Sequence, residues 1–507
     1  MAYLIGIDIG TSGTKTVLFD EAGTTIASAL REYPMSQPAN GWAEQDPELW
    51  WNAVCETLKQ VTAGIDASEI KGIGLSGQMH GSVLLDKEGK VLRPAILWCD
   101  QRTVAECEEI TSIIGAEHLI ELTANPALVG FTAPKVRWVY NHEPEIYAKI
   151  DKILLPKDYI RYKLSGEFAT EVSDASGMLY LDVAHRCWCD ELLSKLDVDK
   201  NWLAPVYESP VISSVVNAEA AALTGLKAGT PIAGGAGDQA AGAVGNGIVR
   251  EGVVSATIGT SGTIFAHTDT VKVHPSGVIQ SFCHAVPGAW HLMGCTQGAG
   301  MSLQWFRNNF CGPEMDTAKI MGVDPYYLMD QAAAKVQAGC EGLIYLPYPI
   351  GERTPHCDAD ARGVFFGINP QHTRAHFTRA ILEGVAFSLR DSLEILRDFG
   401  ISTSEVRATG GGGKSKIWRK IQADVYNAPI TTVQSSEGGA LGVAILAAVG
   451  TGLYSSVPEA CDAIIRTNEP LAPDAGQAKI YDGYFRLYDR LYQALKPEYK
   501  ELTKLYY

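Results

Sequence analysis

Short apolar runs bounded by Gly, Ser and Thr punctuate the chain: Leu4-Ile5-Gly6-Ile7, Val17-Leu18-Phe19, Ile70 to Leu75, Ser82 to Leu85, Ala95 to Trp98, Val253-Val254-Ser255-Ala256 and Ile264-Phe265-Ala266. Runs this short, bracketed by turn residues, predict buried strands. Between them apolar residues return at helical spacing. Trp51, Val54, Leu58 and Val61 follow Asp46-Pro47, a cap and a first-turn proline. Leu382, Val385, Leu389, Leu393 and Leu396 line one face of Phe377 to Phe399, which stops at Gly400, and Ile417, Ile421 and Val425 line another helix. Residues 103–230 read as mixed helices and loops. The alternation predicts an α/β protein.

One hexapeptide, Ile-Gly-Thr-Ser-Gly-Thr, occurs twice, at Ile9 to Thr14 and at Ile258 to Thr263, nearly half the chain apart. Each copy joins two apolar runs and therefore predicts a β-hairpin with a turn of glycines and hydroxyls. Such a turn lets a phosphate approach backbone N–H groups closely. A repeat at half-chain spacing predicts a duplicated fold, with domains over 1–247 and 248–507. The copies differ at their edges. Asp8 and Lys15 flank the first where Thr257 and Ile264 flank the second. The first thus carries a carboxylate suited to Mg²⁺ and a cation suited to phosphate oxygens, while the second can only cradle.

Four polar clusters sit where strands are predicted to end. Gly77-Gln78-Met79-His80-Gly81 reads equally as a ligand contact or as a plain hairpin with a satisfied histidine. For Cys99-Asp100-Gln101-Arg102 the residues alone favour a surface ion pair. In Gly234-Gly235-Ala236-Gly237-Asp238-Gln239, Asp238 can cap a helix, but the flanking glycines also clear the space a reactive carboxylate needs. Thr409-Gly410-Gly411-Gly412-Gly413-Lys414-Ser415 is expected to open a helix and to touch a nucleotide rather than act as a hinge. It lacks the Gly-x-x-x-x-Gly-Lys-Ser/Thr spacing of a P-loop.

Composition narrows the function. At 507 residues the chain exceeds what one core supports. A net charge of −16 excludes a nucleic-acid footprint. The longest apolar stretch, Ala440 to Val449, is too short for a bilayer span. The first strand begins almost at Met1, and 11 cysteines show no paired spacing, so a cytoplasmic location with reduced thiols is expected. No membrane partner is expected, and self-association as a homodimer stays open.

With these residues in place, the chain resembles the FGGY family of carbohydrate kinases. Two extended patterns carry the resemblance: Gly130-Phe131-Thr132-Ala133-Pro134-Lys135-Val136-Arg137-Trp138-Val139, and Gly363-Val364-Phe365-Phe366-Gly367-Ile368 followed by His376-Phe377 and Ala380-Ile381-Leu382-Glu383. The resemblance implies two ribonuclease-H-like domains, of the actin, hexokinase and Hsp70 ATPase superfamily, around a central cleft. It implies ATP and Mg²⁺ as cofactors and a sugar as the other partner, the motifs at 77–81 and 98–102 pointing to D-xylulose. Asp238 is implied as catalytic base, and Asp8 with Asp238 as metal site. Gln78, Met79, His80, Trp98, Asp100 and Gln239, with Asp238, are implied on the acceptor side. Some relatives carry asparagine at the position of Gln239, which leaves its contact open. Gly10, Thr11, Ser12, Lys15, Gly259 and Thr260 are implied around the phosphates, and Gly300, Gly411, Gly412 and Gly413 along the nucleoside. The first domain would hold acceptor and base, the second the nucleoside. Other acceptors on the same chassis (L-ribulose, gluconate, glycerol) and a non-catalytic actin-like nucleotide switch are the competing expectations.

Overall fold

The computed structural model describes residues 2–506. Packing divides the chain into two compact units that interleave along the sequence: residues 1–250, 267–291 and 435–465 form the first, and 251–266, 292–434 and 466–507 the second.

The first unit is built on a mixed sheet. Tyr3–Ile9 and Gly13–Asp20 pair antiparallel, with Ile9 opposite Thr14 and Asp8 opposite Lys15. Thr25–Glu32 extends that hairpin on one side. On the other, Tyr3–Ile9 runs parallel to Ile70–Gly77, which in turn runs parallel to Pro231–Ala233 and Ala236–Gly237. The helix Pro47–Val61 starts as the sequence predicts, with the Asp46 side chain accepting from the Glu48 N–H, and buries Trp51, Val54, Leu58 and Val61 against one face. The other face receives the helices Asp238–Gly245 and Gly438–Gly450. Their approach depends on missing side chains. A Cβ on Gly6 would lie 1.9 Å from the Ala440 carbonyl oxygen, and one on Gly74 would lie 1.9 Å from that of Val443. Either would drive the helix off the sheet.

The second unit repeats the arrangement. Gly252–Ile258 pairs antiparallel with Gly262–Thr268 and parallel with Thr403–Thr409, which continues to Ile430–Thr431. The identical hexapeptides nevertheless turn differently. Ile9 faces Thr14 in the first hairpin, whereas Ile258 faces Gly262 in the second. Accordingly the Gly10 N–H donates to the Gly13 carbonyl and the Gly259 N–H to that of Ser261. The long helix Arg374–Asp398 is fixed at its start by a capping box of Thr373 and His376. It buries Leu382, Val385, Leu389, Leu393 and Leu396 and ends before Gly400, whose φ is +75°.

Two α/β units, each with its own sheet and the same hairpin-plus-parallel-strand core, are what the sequence predicts. Among the described residues no helix is long and apolar enough to cross a membrane.

Candidate functional site

Three parallel strands of the first unit end together. Register sets Asp8 beside Ser76, Ile9 beside Gly77, and Gly237 beside Gly77. The turn at Gly10, the segment at Gln78 and the helix beginning at Asp238 therefore leave the sheet at one edge, the carboxyl ends where α/β folds place ligands.

Asp238 is the first residue of its helix. The N-cap is Gly237, and no side chain caps it. The capping role that its sequence position allows is thus not the one it plays. The residue is partly accessible, but its carboxyl is recessed and is pushed up to about 7, first by burial and then by the charge of Asp8, against the pull of Gln239. Asp8 is raised too, by burial, against Ser76 and Lys15. Its Oδ1 is buried and has no hydrogen-bond partner. Two recessed carboxylates that repel each other, one with an orphaned oxygen, fit a divalent cation. Among the described residues no cluster of three or more His, Cys, Asp or Glu side chains could hold a metal. Mg²⁺ commonly takes one or two carboxylates and completes its shell with water and phosphate.

The same geometry predicts a stability effect. A carboxyl raised in the fold costs stability as pH climbs from its unfolded value near 4 through about 7, because the native state holds a proton the unfolded chain has released. We expect Asp238→Asn to raise the thermal midpoint at pH 8 and to change it much less at pH 4. Equal shifts at both pH values, read by calorimetry, would contradict the coupling.

The turn itself is held from several sides. The Tyr33 hydroxyl donates to the Gly10 carbonyl (2.6 Å), and the Thr11 hydroxyl donates to Gln78 Oε1 (3.1 Å) while accepting from Trp98 Nε1 (2.9 Å). The Thr11 proton is therefore committed within the protein, and what the turn offers an anion is backbone N–H and the exposed Ser12. Lys15 pairs with Glu437 at 2.5 Å.

On the acceptor side the structure sets aside one of the two readings of the segment at 77–81, the plain hairpin, and the surface ion pair at 99–102. Ile70–Gly77 and Val83–Leu85 do not form a hairpin, since Val83–Leu85 pairs with Lys152–Leu154. Instead the chain turns at His80, which takes a left-handed φ of +69°. The ring is fixed by a 2.8 Å bond to the Gly177 carbonyl and by the Phe131 ring, with centroids 4.9 Å apart. Its carbonyl accepts from Lys135 Nζ (2.8 Å) and Thr132 Oγ1 (3.1 Å). Lys135 is wholly buried and also donates to the Gly130 carbonyl at 2.6 Å. The lysine of the first extended pattern thus holds His80 in a backbone conformation unusual for a non-glycine residue. Met79 is buried against Gly237, where a Cβ would sit 2.9 Å from Met79 Cγ.

Asp100 carries the correction at 99–102. It is fully buried, not superficial: its carboxylate accepts from the Ala43 N–H (2.6 Å) and from the Arg102 N–H, Nε and Nη2. Arg102 is itself buried beneath Trp42, its guanidinium 3.7 Å from the ring centroid, and is paired with Glu44 at 2.8 Å. With both oxygens occupied, Asp100 stiffens the turn behind Trp98 rather than facing a ligand. Trp98 remains exposed, and Gln239 is partly so.

The second unit contains a separate cleft of about 940 Å³ lined by Gly259, Thr260, Gly300, Gly411, Gly412, Tyr326, Asp330 and Trp418 among others. Its glycines have different reasons. Gly300 donates its N–H to the Gly259 carbonyl, and a Cβ there would lie 2.3 Å from that oxygen. Gly412 packs on Ile258, and Gly413 packs on the Ala408 carbonyl without lining the cleft. At Gly411 a Cβ would meet protein only at ordinary contact, 3.6 Å, so its bare face is turned to the cleft. The four glycines do not open the following helix. They form the short helix Gly410–Lys414, and Ser415 caps Lys416–Tyr426 by accepting from the Trp418 N–H. Where the first hairpin carries Asp8, the second has Thr257, bonded to the Thr409 hydroxyl at 2.7 Å.

Residues 3–245 match the FGGY family of carbohydrate kinases, N-terminal domain, and residues 254–451 match the C-terminal domain of the same family. The chain belongs to the FGGY family of carbohydrate kinases, ATP-dependent phosphotransferases. It is 38% identical over 498 residues to the xylulose kinase of Bacillus subtilis (strain 168), covering 98% of each chain. It is 39% identical over 494 residues to the xylulose kinase of Escherichia coli (strain K12), covering 97% of this chain and 99% of that one. Among solved structures it superposes on a xyloylose kinase from Brucella ovis with a TM-score of 0.90 at 37% identity, covering 98% and 99% of the two chains.

Proposed function

We propose that this protein transfers the γ-phosphoryl group of ATP to the C5 hydroxyl of D-xylulose, giving D-xylulose 5-phosphate and ADP. The observation that carries the reading is Asp238, a recessed carboxylate at the start of a helix that leaves the sheet's carboxyl edge, next to a second carboxylate and raised to about 7, where a general base is effective. The acceptor identity is supported by the xylulose kinases to which the chain is similar over nearly its full length.

In this reading Asp238 accepts the hydroxyl proton and aims the alkoxide-like oxygen at phosphorus. Phosphoryl transfer passes through a loose transition state, so alignment and charge neutralisation supply most of the rate. Asp8 and Asp238 would hold Mg²⁺, which would supply neutralisation of phosphate charge. Gly10, Ser12 and the main chain of Thr11 cradle phosphate oxygens, and Lys15 exchanges its Glu437 partner for them. His80 and Trp98 face the sugar with mixed polar and apolar groups, as hydroxyls and C–H faces require, and the buried Gln78 and Met79 back that surface. Gly259, Thr260, Gly300 and Gly411 receive the nucleotide. The domain assignment that goes with it gives acceptor and base to residues 1–247 and the nucleoside to residues 248–507.

The test is acceptor-dependent ADP release across D-xylulose, L-ribulose, glycerol and gluconate. We expect kcat/KM to be highest for D-xylulose by at least about tenfold, the discrimination that one or two hydroxyl contacts provide. A higher value for another acceptor would reassign the substrate. ADP release indifferent to every acceptor would remove the kinase reading.

A further inference from the structure

A closed ring of hydrogen bonds joins the first turn to the Gln78 segment. The Thr11 hydroxyl donates to Gln78 Oε1 (3.1 Å), Gln78 Nε2 donates to Gln45 Oε1 (3.1 Å), and Gln45 Nε2 donates back to the Thr11 carbonyl (2.7 Å). Two more bonds fix the hub. Trp50 Nε1 donates to Gln45 Oε1 (3.0 Å), and Gln45 Nε2 also donates to the Pro34 carbonyl (3.2 Å). Indole nitrogen is only a donor and the two carbonyls are only acceptors, so the Gln45 amide has a single permissible orientation. That orientation propagates: Gln78 must turn its nitrogen to Gln45 and its oxygen to Thr11, and the Thr11 proton is used there. Trp50, Gln45 and Gln78 are 0%, 1% and 1% exposed, so water does not compete for the Gln45–Gln78 and Gln45–Trp50 bonds, while the two bonds at Thr11 are part-buried.

We propose that Gln45 is a positioning residue that sets the phosphate turn and the acceptor segment as one unit, so that occupation of either site orders the other. The proposal deepens the kinase reading and rests on it for the roles of the two ends. Gln45 lies in the two-residue strand Glu44–Gln45, remote in sequence from Thr11 and Gln78, and touches no reacting atom. Its influence runs through the Thr11 carbonyl at one end and the Gln78 amide at the other. Acceptor contact at the exposed Trp98, whose indole N–H donates to Thr11 Oγ1, therefore bears on the Thr11 hydroxyl, and a phosphate seated on the turn bears on the Gln78 amide. This makes the two binding steps mutually favourable, a reciprocity any coupling free energy requires.

The experiment uses the full chain and four variants: Gln45→Met, Gln45→Glu, Thr11→Val and the Gln45→Met/Thr11→Val double. Each is measured for the KM of ATP and of D-xylulose and, without acceptor, for ATP affinity by calorimetry. Loss of one buried, oriented hydrogen bond predicts about a tenfold weakening of ATP in Gln45→Met and in Thr11→Val. The acceptor KM should rise together with that of ATP. Gln45→Glu keeps the shape and the acceptor for Trp50, but turns an oxygen toward two carbonyls, so it should be worse than Gln45→Met. The double variant should lose little more than either single one, as expected for members of one ring. Unchanged KM values with only a lowered melting temperature would make Gln45 a packing residue and overturn the proposal, as would additive losses in the double. Should the parent protein show no acceptor-dependent turnover, the kinase reading fails. The calorimetric comparison still decides the ring, because a tenfold loss of ATP affinity supports it and an unchanged affinity overturns it.

Discussion

Asp238→Asn is expected to lower kcat by roughly a hundredfold or more while leaving acceptor KM within about threefold, because it removes proton acceptance and keeps the side chain's size and hydrogen-bonding reach. The structure sharpens the expectation. Asp238 is not occupied as a helix cap, since Gly237 holds that position without any side-chain bond, and the hydrogen bonds that its carboxylate receives from Gln239 can still be accepted by the asparagine Oδ1. Its carboxyl is raised to about 7 by burial and by Asp8, so the parent enzyme should lose kcat/KM as pH falls through that region, where the base becomes protonated. In Asp238→Asn the residual rate should lose this acid limb. A variant that keeps the limb, or keeps turnover, would place the base elsewhere.

How much of this was legible beforehand depends on the range over which each feature is decided. The hairpins, the Asp46 cap and the Arg374–Asp398 helix are set by residues within one or two turns of each other, and the pattern of Gly, hydroxyl and apolar positions reveals them. Asp238 stands out because three of the four residues before it are glycines. The environment of Asp100 is decided instead by Ala43, Trp42 and Trp138, far away in the chain, and a surface ion pair was the natural expectation for Asp-x-Arg alone. The same holds for Gln45, an unremarked glutamine before a helix cap until folding brings Thr11, Pro34, Trp50 and Gln78 around it. The interleaving of the units was hidden for a steric reason. The small residues of Gly438–Gly450 announce close packing, but the partners that accept them, Gly6 and Gly74, are single glycines inside strands with no periodicity of their own. Identity in sequence did not even guarantee identity in turn, since the two hexapeptides close with registers one residue apart.

Asp8→Asn should separate a metal role from a purely structural one, because it moves two readouts in opposite directions. Asp8 has a buried Oδ1 with no hydrogen-bond partner and a pKa raised by burial, a state that is unfavourable unless a cation shares the site. Replacing it with the amide removes a charged oxygen ligand, so the Mg²⁺ concentration for half-maximal activity should rise about tenfold or more, and kcat/KM at fixed Mg²⁺ should fall by about a hundredfold, the usual scale for losing one charged contact in a phosphoryl-transfer site. The same change removes the negative neighbour that helps hold Asp238 near 7. With that repulsion gone, Asp238 ionises at lower pH, and the acid limb of the remaining activity moves downward. A generic disruption of the turn would reduce activity without lowering the limb. A variant with the parent's Mg²⁺ requirement, or with an acid limb that stays where it was, would separate Asp8 from both the metal and the base, and the pairing of the two carboxylates would lose its functional meaning.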